Sequence, residues 1–119
     1  MQIQLSVTLF RRLSAVLAVA AAITGIATMT GLALMEYNVS QKGREFRPTA
    51  LSINRNEAVT IVNDDADLLH HAYIASDKLN YDSGDQGPGS KISITFPTPG
   101  TFEVLCAIHP KMKLVVQVK

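Results

Sequence analysis

The 119-residue chain has one cysteine, Cys106, and three histidines, His70, His71 and His109. A single cysteine excludes a disulfide within the chain, so a small domain must rely on its core or on a bound group. Charge of one sign is also missing. Eleven Lys/Arg stand against ten Asp/Glu, and no basic stripe is present, which excludes nucleic acid as a partner. Asp64, Asp65, Asp67, Asp82 and Asp85 lack the spacing of a calcium loop and are expected to be solvated loop charges.

Charge is absent altogether from residues 13–35, which are rich in Ala, Leu, Ile and Val and follow Arg11 and Arg12. A basic segment followed by an apolar run is the order of an export signal. This run exceeds an ordinary signal core and approaches the ~20 residues that span a bilayer. Residues 1–35 are therefore expected to form a hydrophobic helix, either a signal peptide or a membrane anchor, and residues 36–119 the functional domain. With no cysteine near the end of the run, a lipid-modified cysteine is excluded. The expected location is the periplasm or the extracellular face, with the membrane reached only through residues 13–35. In an oxidising compartment a lone thiol is a liability unless something occupies it.

The rest of the chain lacks any long segment of helical period. Glycine, proline and β-branched residues divide it into short runs. Strands are expected over residues 37–41, 50–53 and 58–62, with a polar turn at 54–57, a short apolar run at 70–75 and a loop over 80–89. Ile92, Ile94 and Phe96 alternate with Ser93 and Thr95, the period of a half-buried strand. This spacing predicts an all-β domain, an antiparallel β-sandwich. Beyond residue 100, Phe102, Val104 and Cys106 share an uncharged face, opposite Thr101, Glu103 and Leu105. In the last strand Leu114, Val116 and Val118 share the inward face, and Met112 has their parity.

Between those strands lies Cys106-Ala107-Ile108-His109-Pro110-Lys111-Met112, a thiol, an imidazole and a thioether within seven residues. Thiolate and thioether favour copper(I), imidazole suits copper in either oxidation state, and a His₂Cys set with a weak axial Met describes a blue-copper site. The second histidine must come from His70-His71. Adjacent strand residues point to opposite faces, so one of the pair is expected to serve. A buried cysteine alone is more often an inert small hydrophobe, but the spacing to His109 and Met112 argues against that. Structural zinc sites use Cys and His in fours, without thioether. A Cys–His nucleophile would leave Met112 unexplained and has no oxyanion-hole motif beside it.

Asn63-Asp64-Asp65, His70-His71-Ala72-Tyr73, Phe96-x-x-Pro99-Gly100-Thr101-Phe102 and Cys106-x-x-His109-Pro110-x-Met112 together resemble the cupredoxins, and amicyanin and plastocyanin-like members most. The resemblance covers residues 37–119. It implies a Greek-key β-sandwich holding one type 1 copper ion, with His70, Cys106 and His109 equatorial and Met112 axial, and His71 as the alternative to His70. It further implies a monomer that shuttles single electrons between transient donor and acceptor proteins, and no enzyme. The three histidines cannot supply the further copper sites of an oxidase or nitrite reductase. The rival reading is a module for copper storage, delivery or sensing. Two departures from the family pattern stand out. His71 replaces an asparagine that braces the copper loops, and Asn56-Glu57 replaces a Gly-Asp turn, which Asn tolerates.

Overall fold

The computed structural model describes residues 35–119; the expected hydrophobic helix lies outside the described residues. Nine strands form two sheets: β1 Tyr37–Lys42, β2 Glu45–Arg47, β3 Ala50–Ile53, β4 Ala58–Asn63, β5 Ala72–Ala75, β6 Asn80–Asp82, β7 Lys91–Thr95, β8 Gly100–Cys106 and β9 Lys113–Val118. One sheet has the order β2-β1-β4-β7 and the other β3-β9-β8-β5-β6. Alternation along each strand decides what lies between them. In β4 Val59 and Ile61 are buried, in β8 Phe102, Val104 and Cys106, and in β9 Leu114, Val116 and Val118, as period-two patterning requires. Each such side chain contributes about 1.5–3 kcal/mol when fully buried. Phe96 and Phe102 meet with ring centroids 5.6 Å apart and add a tilted aromatic pair to this core.

The sheets are mixed rather than wholly antiparallel. β1 runs parallel to β4, Tyr37 opposite Val59, and β3 runs parallel to β9, Ala50 opposite Val115. The reason is a crossover: after the β1–β2 hairpin the chain passes to the other sheet as β3, then returns beside β1 as β4. Local alternation carries no information about such a return. The loop expected over residues 80–89 also holds a short strand, β6, paired with β5 through Ala75–Asn80, Ile74–Tyr81 and Tyr73–Asp82. Only Tyr81 in that stretch favours a strand, so the pairing depends on the edge that β5 presents.

Two turns set the geometry near the loops. The β3–β4 turn places Asn56 at φ 69°, the left-handed conformation that asparagine tolerates. The β1–β2 hairpin turns on Gly43 and Arg44, both at φ 62°. Two residues of positive φ match the right-handed twist of the paired strands. For Arg44 that conformation costs about 1–2 kcal/mol.

Candidate metal centre

Strand parity delivers the donors to one end of the sandwich. Cys106 closes β8 on the inward face and is 2% exposed. It lies opposite Ala72, the first residue of β5. His70, two residues before Ala72, shares its parity and is 0% exposed. The His70 backbone is fixed by a two-bond bridge to Gln86, N–H to carbonyl at 3.0 Å and 2.7 Å in the two directions. His71 has the opposite parity and points outward. The loop between β8 and β9 carries His109; the Ala107 N–H donates to the His71 carbonyl at 2.9 Å, and the Met112 N–H to the His109 carbonyl at 3.0 Å. That first bond ties the His70–His71 segment to the β8–β9 loop.

His70 Nδ1 lies 3.9 Å and His109 Nδ1 3.7 Å from Cys106 Sγ. All three donor atoms fall within 4.8 Å of one another. Donors bound at about 2.0–2.3 Å around one ion in a trigonal plane would sit roughly 3.6 Å apart, so the cluster needs little adjustment to take a metal. The set of two imidazoles and a thiol suits copper. Met112 is buried beside this loop at 1% exposure, in keeping with its inward parity. Cys106 is too enclosed to attack a substrate, which disposes of the nucleophilic alternative.

The surroundings orient these donors. Asp65 Oδ2 lies 2.7 Å from His70 Nε2, so that nitrogen carries the proton and Nδ1 presents its lone pair toward Cys106. Asp65 Oδ1 accepts the Gly43 N–H at 3.1 Å. Burial pushes the Asp65 carboxyl up, but the bonds from His70 and Gly43, with the charge of Lys42, outweigh it and leave it below the usual aspartate value. Asn63, fully buried, donates to the carbonyls of Leu68 and Gln86 at 2.8 Å and 2.9 Å and accepts the Asp65 N–H at 3.0 Å. Gln41 donates to Gln86 Oε1 at 3.0 Å beneath the same loops. The bracing role of Asn63, Gln41 and Gln86 escaped the sequence reading. An Asn before two aspartates at a strand end is an Asx-turn signal for the first; the buried glutamines carry no local signal.

The expectation that the loop aspartates are merely solvated needs correction. Besides Asp65, Asp82 lies 2.6 Å from His71 Nε2 and Asp85 3.1 Å from His71 Nδ1, while Asp64 accepts the Ser40 hydroxyl. The bond to Asp85, opposed by burial and helped by Asp82, raises the His71 pKa. Where a bracing asparagine was expected, His71 therefore ties the β5 end to the segment beyond β6. His109 differs: burial first, then repulsion from His70 in its protonated form and from Arg44, lower its pKa and favour the neutral ring, the form able to bind a metal. Next to His109 in the chain Ile108 is 41% exposed, and Leu69, next to His70, is also 41% exposed.

Comparison with known proteins points the same way. No family model matches the chain. Over 73 residues it is 34% identical to the chloroplastic plastocyanin of Physcomitrium patens, covering 54% of this chain and 43% of that protein. It thus spans less than half the length of that curated relative. Among solved structures it is similar to the Cu-containing nitrite reductase of Thermus scotoductus SA-01, with 29% identity and a TM-score of 0.65 over 71% of this chain and 22% of the enzyme. It is also similar to a reduced Cu(I) form of an amicyanin variant, with 21% identity and a TM-score of 0.66 over 71% of this chain and 82% of amicyanin. Two mixed sheets with a His–Cys–His cluster at the loop end give this chain a cupredoxin-like fold. The likeness is to plastocyanin by sequence and to amicyanin by fold.

Proposed function

We propose that the chain binds one type 1 copper ion through His70, Cys106, His109 and Met112, and that it carries single electrons between redox partners. The observation that carries this reading is the convergence of His70 Nδ1, Cys106 Sγ and His109 Nδ1 within 4.8 Å. Copper, when bound, supplies a one-electron Cu(II)/Cu(I) couple. The protein's part is to hold the ligands. Asp65 fixes the His70 tautomer, the inward strand ends hold the Cys106 and Met112 side chains, and the Ala107–His71 bond keeps the loops together. Such preorganisation limits rearrangement as the oxidation state changes. Cys106 serves as thiolate, Met112 as the weak axial donor, and His109 as the partly exposed port through which the electron leaves. Ile108 and Pro110 flank that port with apolar surface suited to brief encounters.

In this reading the chain acts as a carrier rather than an enzyme, its cluster of two imidazoles and a buried thiol serving one copper ion. Residues 1–35 act as signal or anchor and residues 36–119 as the copper domain, a monomer on the periplasmic or extracellular side. Loading with Cu(II) should produce an intense thiolate-to-copper band in the visible and narrow copper hyperfine splitting in electron paramagnetic resonance. Cys106→Ser should abolish the colour. A colourless Cu(II) complex of the unaltered chain would overturn the assignment.

A further inference from the structure

The end of the molecule that bears His109 is unevenly charged. The β1–β2 hairpin brings Arg44 to one wall of a cleft of about 480 Å³, and Ile108, His109 and Lys111 form the other wall. Most charges nearby are already engaged. Arg47 pairs with Glu45, which also lines the cleft, at 3.3 Å, and Lys113 pairs with Glu103 at 3.3 Å. Asp65 is held by His70, Asp82 and Asp85 by His71, and Asp64 by Ser40. Among the described residues neither Arg44 nor Lys111 has a carboxylate within 4.0 Å, so two unneutralised cations flank the exposed edge of the His109 ring. Of the nearby loop aspartates, Asp67 alone lacks a side-chain partner. An excess of positive charge in a cleft with low-dielectric walls, here Ile108 and Pro110, focuses its field on an approaching molecule. The left-handed backbone at Arg44 holds this side chain at the hairpin tip although glycine would relieve the strain.

We propose that this cleft docks an acidic redox protein, whose surface carboxylates engage Arg44 and Lys111 while its apolar contact covers Ile108 and Pro110. The inference rests on the reading of His109 as the electron port and adds the sign of the partner's surface. Complementary charge at such a face chiefly raises the rate of encounter and excludes partners of the wrong sign.

Two measurements on the full chain in an uncharged detergent test it. First, the metal-free, nitrogen-15-labelled protein is titrated with decaglutamate. Amide shifts should concentrate at Gly43, Arg44, Ile108 and Lys111, fade with added salt and vanish in Arg44→Glu/Lys111→Glu. Shifts elsewhere, or equal shifts with inorganic phosphate at matched ionic strength, would overturn the proposal, the latter marking a small-anion site instead. Second, the copper-loaded, reduced protein is oxidised by hexacyanoferrate(III), each Cu(I) giving one electron to one iron(III). At low ionic strength the double variant should react roughly tenfold more slowly, and faster with the cationic tris(phenanthroline)cobalt(III). A blue protein whose rates ignore both salt and the substitutions would refute the docking surface alone; a colourless one would refute the copper assignment instead.

Discussion

Replacing Asp65 by Asn gives the sharpest test of how the site is held. Both carboxylate oxygens are in use: Oδ2 accepts from His70 Nε2 at 2.7 Å and Oδ1 from the Gly43 N–H at 3.1 Å. Asn keeps the shape but offers one acceptor and one NH₂. In either orientation a donor then faces a donor. If the NH₂ meets His70, the ring must turn or shift its proton to Nδ1, the atom needed for the metal. If it meets Gly43, the hairpin tip loses its tether. His70 is fully buried and the Asp65 side chain is 10% exposed, so water compensates poorly. A hydrogen bond to a charged group contributes about 1.5–3 kcal/mol, and loss of a carboxylate behind a ligating histidine typically costs about 10–100-fold in metal affinity. The two figures agree, since 1.4 kcal/mol corresponds to about tenfold. Asp65→Asn should therefore lower copper affinity by about 10–100-fold in competition with a chelator. It should also raise the reduction potential, because a negative charge that favours Cu(II) has gone. Unchanged affinity together with an unchanged potential would show that Asp65 does not orient His70.

Two other substitutions probe neighbouring features. His70→Ala should abolish the visible band, whereas His71→Ala should keep it and lower stability by only about 0–1 kcal/mol, since the Asp82 and Asp85 side chains are 69% and 67% exposed; the reverse pattern in absorption spectra would make His71 the ligand. At the β3–β4 turn Glu57 accepts the Asn54 N–H at 2.7 Å, which holds its pKa below the ordinary value of 4.5 against the opposing effect of burial. Its folded pKa being depressed, its contribution is present above the unfolded value and is lost as pH falls through the folded one. Melting temperatures of the metal-free protein should thus fall less steeply below pH 4.5 in Glu57→Gln than in the unaltered chain, and parallel curves would count against this role.

Much of the candidate site was legible because it is written in short spacings. The alternation in residues 101–106 and 114–118 set which side chains face inward, and the observed burial of Phe102, Val104, Cys106, Leu114 and Val116 follows it. Parity likewise allowed one inward histidine in His70-His71, though not which one. That choice was made by the pairing of Ala72 with Cys106, a contact between residues far apart in sequence. The loop aspartates misled for the same reason. Nothing local distinguishes Asp67, which stays solvated, from Asp65, which lies against a buried imidazole.

Sequence alone determined the kinds of donor available, their inward parity and the all-β character, because each depends on neighbours within a few residues. Tertiary structure decided the parallel pairing of β1 with β4 and of β3 with β9, the strand at residues 80–82, and which loop carboxylates find a partner. Those outcomes depend on which sheet edge a returning segment meets and which charged groups are then forced out of water together. Strand period encodes the face a side chain takes; only the closed sandwich sets what stands opposite it.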